Sequence, residues 1–574
     1  MAMRAARLAI LVFALLATLA ASAPARQPAP PAAPSGLRGF LLRPNESVTH
    51  TFSRTPAFAW NPVRAALCYE FQLATSRTFE ESTLIWSNVA TGAPSGRACG
   101  PVTSSIVTVT PDDSASGGVT QTAKKVGALA PIRIPAVSLD LTLPWFTGRP
   151  YALYAHVRAV TTRGATAWSR SFGFNMHWDQ VPIPMAAKPG LVRWTPVEGA
   201  TGYEVWYPDI RKSFATHTNV ADERELYTFH LDDGWWATVR WRVRAVREVL
   251  GSIPNGLPAV SYGPWSPEYA STNPAWSSGK LQLKSAVSDV VSSDWGDAAH
   301  QLMPALTFTG DVGLDTRNYR LFRVYAFTDS DCVNVVYRGS VVGGPAFAPR
   351  ESGPLKLPTS DDELDLALSG VLPSAKTETA KTLSAEGMAV NANENIGTTG
   401  GAHVDLPDVD ARTTRYFWTV VPVAISVSDS GTFEYDDVET PQDACEAGRV
   451  STFAKLSRPA ITASGTPYVS GLTPNGRLLS VAGPRPVVYS TPLVAWRPVI
   501  AASAYRVEWS KSRYPWRRAG TLVTRSTSAV LNLRPGNWFY RVRGLNPAQV
   551  GTSAMTWSSP VGLTVSRPTF RVSR

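Results

Sequence analysis

Residues 491–516 read TPLVAWRPVIAASAYRVEWSKSRYPW. A short apolar run ends at Trp496, and Arg497-Pro498-Val499 turns the chain. Tyr505 then opens a run in which Tyr505, Val507 and Trp509 alternate with Arg506, Glu508 and Ser510. Proline cannot donate to a ladder and marks the end of a strand. Alternation with a period of two marks a strand with one buried face. The stretch predicts strand, turn, strand.

It recurs. TPAFAWNPVRAALCYEFQLATSRTF (55–79) and PGLVRWTPVEGATGYEVWYPDIRKSF (189–214) repeat the nine-residue spacing, from Trp60 to Tyr69 and from Trp194 to Tyr203. A weaker copy, PALTFTGDVGLDTRNYRLFRVY (304–325), keeps Pro304 to Phe308 and has two extra residues before Tyr319. Each copy is followed by a second strand-like segment: YALYAHVRAV (151–160), VRWRVRAV (239–246), RYFWTVVPV (415–423) and WFYRVRGLN (538–546). Trp-Ser closes three copies, at Trp168, Trp265 and Trp557, whereas the third ends CEAGRVSTF.

The Trp ending the first strand, the Tyr-x-Val strand, the segment LRPGNWFYRVRGLN and the closing Trp-Ser-x-Pro together resemble the fibronectin type III domain. The resemblance implies an all-β chain of tandem fibronectin type III or immunoglobulin-like β-sandwiches, each two sheets of about seven strands. Periods of 134, 114 and 188 residues between the strand-end aromatics exceed one such domain, so insertions are required. Four units are expected. They are 39–176 with an insertion at 101–136, 177–275, a divergent 276–453 with a long mobile insertion at 350–411, and 454–574. Short connections between sandwiches predict an elongated rod.

Composition agrees with this reading. The 574 residues suffice for about four domains. Hydrophobic residues make up 44%, enough for packed cores, and charged residues only 17%. With 46 Pro and 42 Gly and no triplet period, turns are many, which disfavours a helical protein and excludes collagen.

Residues 1–25 read as a secretory signal peptide, with Arg4 and Arg7, an apolar run from Leu8 to Ala21, and Ala21-Ser22-Ala23 as the cleavage signal. The run is too short to span a bilayer. No other segment is long and apolar enough, so the mature chain is expected to lack a transmembrane segment. A Pro/Ala-rich linker follows at 26–38. The expectation is a bacterial protein secreted to the cell surface or beyond.

In an oxidising compartment Cys68, Cys99, Cys332 and Cys445 suggest two disulfides, for which three connectivities exist. Cys68–Cys99 and Cys332–Cys445 keep each pair inside one repeat. Without Arg4 and Arg7, 53 basic face 44 acidic residues, a mature charge of +9. Arginine supplies most of it and is dispersed, whereas nucleic-acid binding calls for clustered patches. An acidic envelope polymer is the better match.

Catalytic signatures are lacking. There is no Gly-x-Ser-x-Gly elbow, no His-Glu-x-x-His helix and no phosphate-cradling loop. His156 alternates with Tyr154 and Arg158 and reads as a surface residue rather than a base. Acidic groups such as Asp329/Asp331 and Asp405/Asp408/Asp410 lack calcium-loop spacing. No cofactor is implied.

Most of the 19 Trp residues have repeat slots. Trp145, Trp178, Trp235, Trp276, Trp295 and Trp516 do not, and either pack cores and interfaces or meet a ligand. Tyr514, Trp516, Arg517 and Trp235 are the candidate ligand contacts, because they neighbour turns. In the second segment Arg158, Arg244 and Arg543 follow the buried Val, with Arg242 and Arg541 two residues earlier on the same face. By resemblance to the Trp-Ser modules of receptor domains, Trp168, Trp265 and Trp557 interleave with these arginines, a structural ladder of cation–π contacts. The alternative is an open basic stripe. The expected function is a non-catalytic binding, adhesion or envelope-scaffold protein, its partner an extracellular protein or polysaccharide. The competing class is a polysaccharide-active enzyme or its accessory subunit.

Overall fold

The computed structural model describes residues 32–41, 49–89, 104–107, 132–222, 238–272, 282–287, 299–309, 321–348, 406, 415–455, 462, 487–546 and 555–566, apart from short gaps inside these spans. The signal peptide, Cys99, Trp235, Trp276, Trp295 and the insertion 350–411 (except Leu406) lie outside the described residues.

The described chain is β-rich, and one four-strand order recurs in its larger sheets. In the first unit Phe172–Met176, Leu153–Thr161, Cys68–Ala74 and Leu84–Ser87 are neighbours in that order. Facing them, Arg38–Phe40 pairs with Ala57–Ala59, which pairs with Ile132–Ser138. This is the two-layer sandwich of the fibronectin type III class. The second unit pairs Leu191–Arg193 with Val220–Asp222 in one layer, and in the other Gly202–Tyr207 lies between Lys212–Thr216 and Thr238–Glu248. In the third, Leu321–Phe327 lies between Val335–Val342 and Tyr416–Val427. In the fourth, Ala504–Ser510 lies between Arg518–Thr524 and Gly536–Leu545.

The nine-residue spacing has a physical cause. Tyr69, Tyr203 and Tyr505 are buried, and each hydroxyl accepts the main-chain N–H of the Val in the preceding Pro-Val turn: Val63 (2.9 Å), Val197 (2.8 Å) and Val499 (3.1 Å). Each ring also meets its Trp at a centroid distance of 5.3–5.4 Å. Strand, turn and strand are thus pinned at one length. The indole N–H groups of Trp60, Trp194 and Trp496 have no hydrogen-bond partner among the described residues, so these rings act as hydrocarbon. That is why Phe308 can fill the slot in the third unit. There the register places Phe322, not Tyr319, where Tyr69 stands: Phe322 pairs with Pro422 as Tyr69 pairs with Ala159. Phe322 meets Phe308 at 5.2 Å but has no hydroxyl to hold a turn, which fits the irregular spacing of this copy.

Two expectations are corrected at the edges of the first unit. Arg38, assigned to the linker, belongs to a strand and pairs with Ala59, and Ser35 accepts the Asn61 N–H through its carbonyl. The flanks of the insertion 101–136 are strands, Ser104–Val107 against Ile132–Ser138. The former also pairs with Val487–Ser490 of the fourth unit, so one nine-stranded sheet runs through both units.

The units are therefore not strung in a rod. Buried Arg54 bonds Glu198 of the second unit (2.7 Å) and the Thr527 hydroxyl of the fourth. Ser138 donates to Ser528 O (2.7 Å), and the Arg525 N–H to Asp140 (2.8 Å). Arg247 of the second unit reaches Leu143 O (2.6 Å) in the first. Burial, with Arg54 nearby, lowers the pKa of Arg247 to about 10. Gly199 makes the close approach of the first two units feasible. Its φ is +87°, and a Cβ there would lie 2.0 Å from Ser53 O. Trp145 donates to the same carbonyl (3.0 Å) and meets Trp178 edge-on, so both are packing residues. The second and third units touch through Leu191, Val220, Ala305, Ala346 and Ala348.

Candidate functional site: ladders and a groove

The closing Trp-Ser owes its position to serine. Ser169, Ser266 and Ser558 each accept the N–H of the central Val of the second segment at 2.9–3.1 Å, and each donates its own N–H to that Val's carbonyl. This pair of hydrogen bonds lays the preceding Trp over the arginine face. Arg158 sits 4.5 Å from the Trp168 centroid, Arg244 4.6 Å from Trp265, and Arg543 4.5 Å from Trp557.

The three ladders differ. In the fourth unit Arg541 lies between Trp516 (4.4 Å) and Trp557 (4.1 Å), giving the alternation Trp516, Arg541, Trp557, Arg543. Glu508, 5% exposed, accepts from Arg541 Nη2 (2.8 Å) and Trp516 Nε1 (3.2 Å). Burial lowers the Arg543 pKa to about 10. Trp516, expected as a ligand contact, is thus a ladder rung. In the second unit Arg244 lies against Tyr262 (3.9 Å) as well as Trp265, and bonds Glu204. In the first unit His156 occupies the place of Arg242 and Arg541. It is buried, not a surface residue: its ring stacks between Phe79 (3.5 Å) and Trp168 (3.8 Å), and Nε2 donates to Gln72 Oε1 (2.7 Å). Burial first, and Arg158 second, pushes its pKa down to about 4.

The third unit has Thr419 and Val421 where the second and fourth units carry arginine. Its face is covered by a short helix, Pro441–Glu446, capped by Thr440 and tied to the sheet through Cys332–Cys445, with Cα atoms 6.3 Å apart. Cys332, Val421 and Ala444 share one buried cluster. A disulfide and a helix replace the ladder. Cys68 is also disulfide-bonded. Asp329 has a local task, accepting the N–H groups of Val333 (2.9 Å) and Asn334 (2.7 Å).

Of the remaining expected ligand contacts, Tyr514 projects from its loop at 73% exposure with the Arg513 guanidinium 5.7 Å from its ring, and Arg517 is exposed beside it.

A groove of about 530 Å³ lies elsewhere, on the first unit. Its wall is Pro34–Leu37, the end of the expected linker, and across from it are His50, Arg77, Tyr151, Tyr154 and Arg170. His50 stacks on Tyr151 (5.0 Å) and Phe172 (4.8 Å), and its Nδ1 donates to Gly173 O (2.6 Å). Gly173 is required beneath Tyr151, since a Cβ would fall 2.4 Å from that ring. Arg77 lies 5.2 Å from the Tyr154 centroid, and the Tyr154 hydroxyl donates to Tyr151 O (2.7 Å). Sequence reasoning missed this groove because its residues come from five separate stretches. One signal was available: Arg170 follows Trp-Ser where the other copies carry Pro267 and Ser559.

No family model matches the chain, and no curated protein matches it. Among solved structures, the FN1–FN3 domains of chicken CNTN1 align at 10% identity and a TM-score of 0.14, over 68% of this chain and 99% of that one.

Proposed function

We propose that the protein is an exported, non-catalytic scaffold whose sandwiches present binding surfaces to an extracellular or envelope partner. The coarse statement, a modular β-sandwich protein, follows from the recurring strand order above. The observation that carries the finer reading is the junction of Arg54, Glu198, Arg247 and Thr527, which fixes three units in one frame and leaves the groove and the Tyr514 loop facing outward. Arg158, Arg244 and Arg541 of the ladders are held by their own glutamates, so their charge serves the sandwiches rather than a partner. Export rests on the N-terminal apolar run, and a mature charge of +9 favours salt-sensitive attraction to acidic polymers. No helix among the described residues is long and apolar enough to cross a membrane. The test is co-sedimentation of the purified chain with cell walls and acidic polysaccharides at low and high salt. Salt-sensitive retention supports the reading. Absence of binding under every condition, or turnover of a glycan or peptide, overturns it.

A further inference from the structure

The geometry points to the groove of the first unit as a binding site for an acidic saccharide, its carboxylates held by Arg77 and Arg170. The inference rests on the binding-scaffold reading and gives it a place and a ligand chemistry.

Charge comes first. Arg158, Arg244 and Arg541 each bond a glutamate. Arg77 and Arg170 are exposed, make no ion pair among the described residues, and share their groove with no aspartate or glutamate. Two uncompensated guanidiniums in one concavity select an anion, and the planar guanidinium matches a carboxylate bidentately. The groove is also pre-formed. The stack of Phe172, His50 and Tyr151, with Gly173 tight beneath Tyr151, fixes its floor without a ligand. Because His50 Nδ1 is spent on Gly173 O, the other ring nitrogen is left for a hydroxyl. Aromatic edges, one imidazole and two guanidiniums suit a hydroxylated, carboxylated ring. The volume falls within the roughly 300–1,000 Å³ of ligand clefts.

An acidic peptide fits less well. One main mode of extended-peptide binding adds a strand to a free sheet edge. On Phe172–Met176, which carries the groove floor, Leu153–Thr161 takes one side; on the other, Thr51–Phe52 pairs with Asn175–Met176 and the His50 ring takes the Gly173 carbonyl. The groove therefore offers a peptide only a short length of strand edge.

The experiment titrates the full mature chain with a trigalacturonate oligomer, its methyl ester and poly-glutamate, by calorimetry. Arg77→Ala/Arg170→Ala is compared with Arg163→Ala/Arg415→Ala, two exposed arginines outside the groove, as a basic-surface control, with thermal melts confirming folding. The expected result is binding of the trigalacturonate that falls at least tenfold in Arg77→Ala/Arg170→Ala, less than twofold in the control, and at least tenfold for the methyl ester. Equal affinity for the ester, or tighter binding of poly-glutamate, overturns the assignment. Binding that survives the groove substitutions sinks the groove while the scaffold reading stands, whereas failure to bind any acidic envelope polymer sinks both.

Discussion

The hydroxyl of Ser138 donates to the main-chain carbonyl of Ser528 across 2.7 Å, joining residues 390 positions apart in the chain. Beside them Arg54 bonds Glu198 and Thr527 at once. A hydrogen bond to a charged group contributes about 2 kcal/mol, so a few such contacts suffice to hold the fourth unit on the first. The double variant Ser138→Ala/Arg54→Met is expected to lower the stability of the fourth unit by about 2 kcal/mol and to raise the radius of gyration in small-angle scattering. An unchanged scattering curve and unchanged denaturant midpoint would show that the junction does not hold the units together.

The tyrosine-pinned turn makes a second prediction. In Tyr69→Phe, Tyr203→Phe or Tyr505→Phe the ring contact to Trp survives, but the valine N–H loses its acceptor. Each variant is expected to lose about 1 kcal/mol, read from urea unfolding of the mature chain. Phe322→Tyr in the third unit is expected to gain nothing, because no Pro-Val turn precedes it. A gain there, or no loss in the other three, contradicts the assignment.

A third concerns Arg541. Its removal takes away two indole contacts and the main partner of a carboxylate that is only 5% exposed. Breaking such a pair from one side costs about 3 kcal/mol, because the orphaned charge stays buried. Arg541→Ala is expected to show that loss, and Arg541→Ala/Glu508→Gln to recover a good part of it. If the double variant is no more stable than the single, desolvation of Glu508 is not the dominant effect.

Much of this was legible in the sequence, for an identifiable reason. Trp60, Tyr69, Arg158 and Trp168 belong to segments whose period and spacing repeat, and repetition exposes a local rule even without knowledge of the contacts. Cys332 and Cys445 were readable because one repeat encloses both. The junction was not legible, since Arg54, Arg247 and Thr527 meet through packing between units, and no local pattern encodes which sandwich faces which. The groove failed for the same reason, its residues being scattered from Pro34 to Gly173. His156 was misjudged because alternation alone cannot tell an exposed strand face from one roofed by Trp168 and Phe79.

The disulfide offers a fourth test. Cys332–Cys445 closes 113 residues and anchors the helix that replaces the ladder in the third unit. In the loop-closure model a ring of that size is worth about 5 kcal/mol. Cys332→Ser/Cys445→Ser is expected to unfold the third unit selectively, seen as a new low-temperature transition while the other melting transitions stay in place. A single unshifted melt would mean that the helix stays docked without its tether.

His156 supplies the last prediction, through pH. Its pKa is lowered from 6.5 in the open chain to about 4 in the folded state, chiefly by burial between Phe79 and Trp168. Between those values the unfolded chain binds a proton that the folded chain refuses, so stability rises with pH across the window and falls as pH drops through it. Above about pH 7 both states are neutral at this site and the effect vanishes. One pKa unit corresponds to about 1.4 kcal/mol, and with the ring edge near solvent a loss of about 2 kcal/mol on going from pH 7.5 to pH 4 is expected. His156→Phe keeps an aromatic ring in the stack and removes the titration. Its unfolding free energy should therefore decline less than that of the natural chain over the same range, while Arg158 stays on Trp168. Identical pH profiles for the two proteins would show that His156 is not the group being titrated.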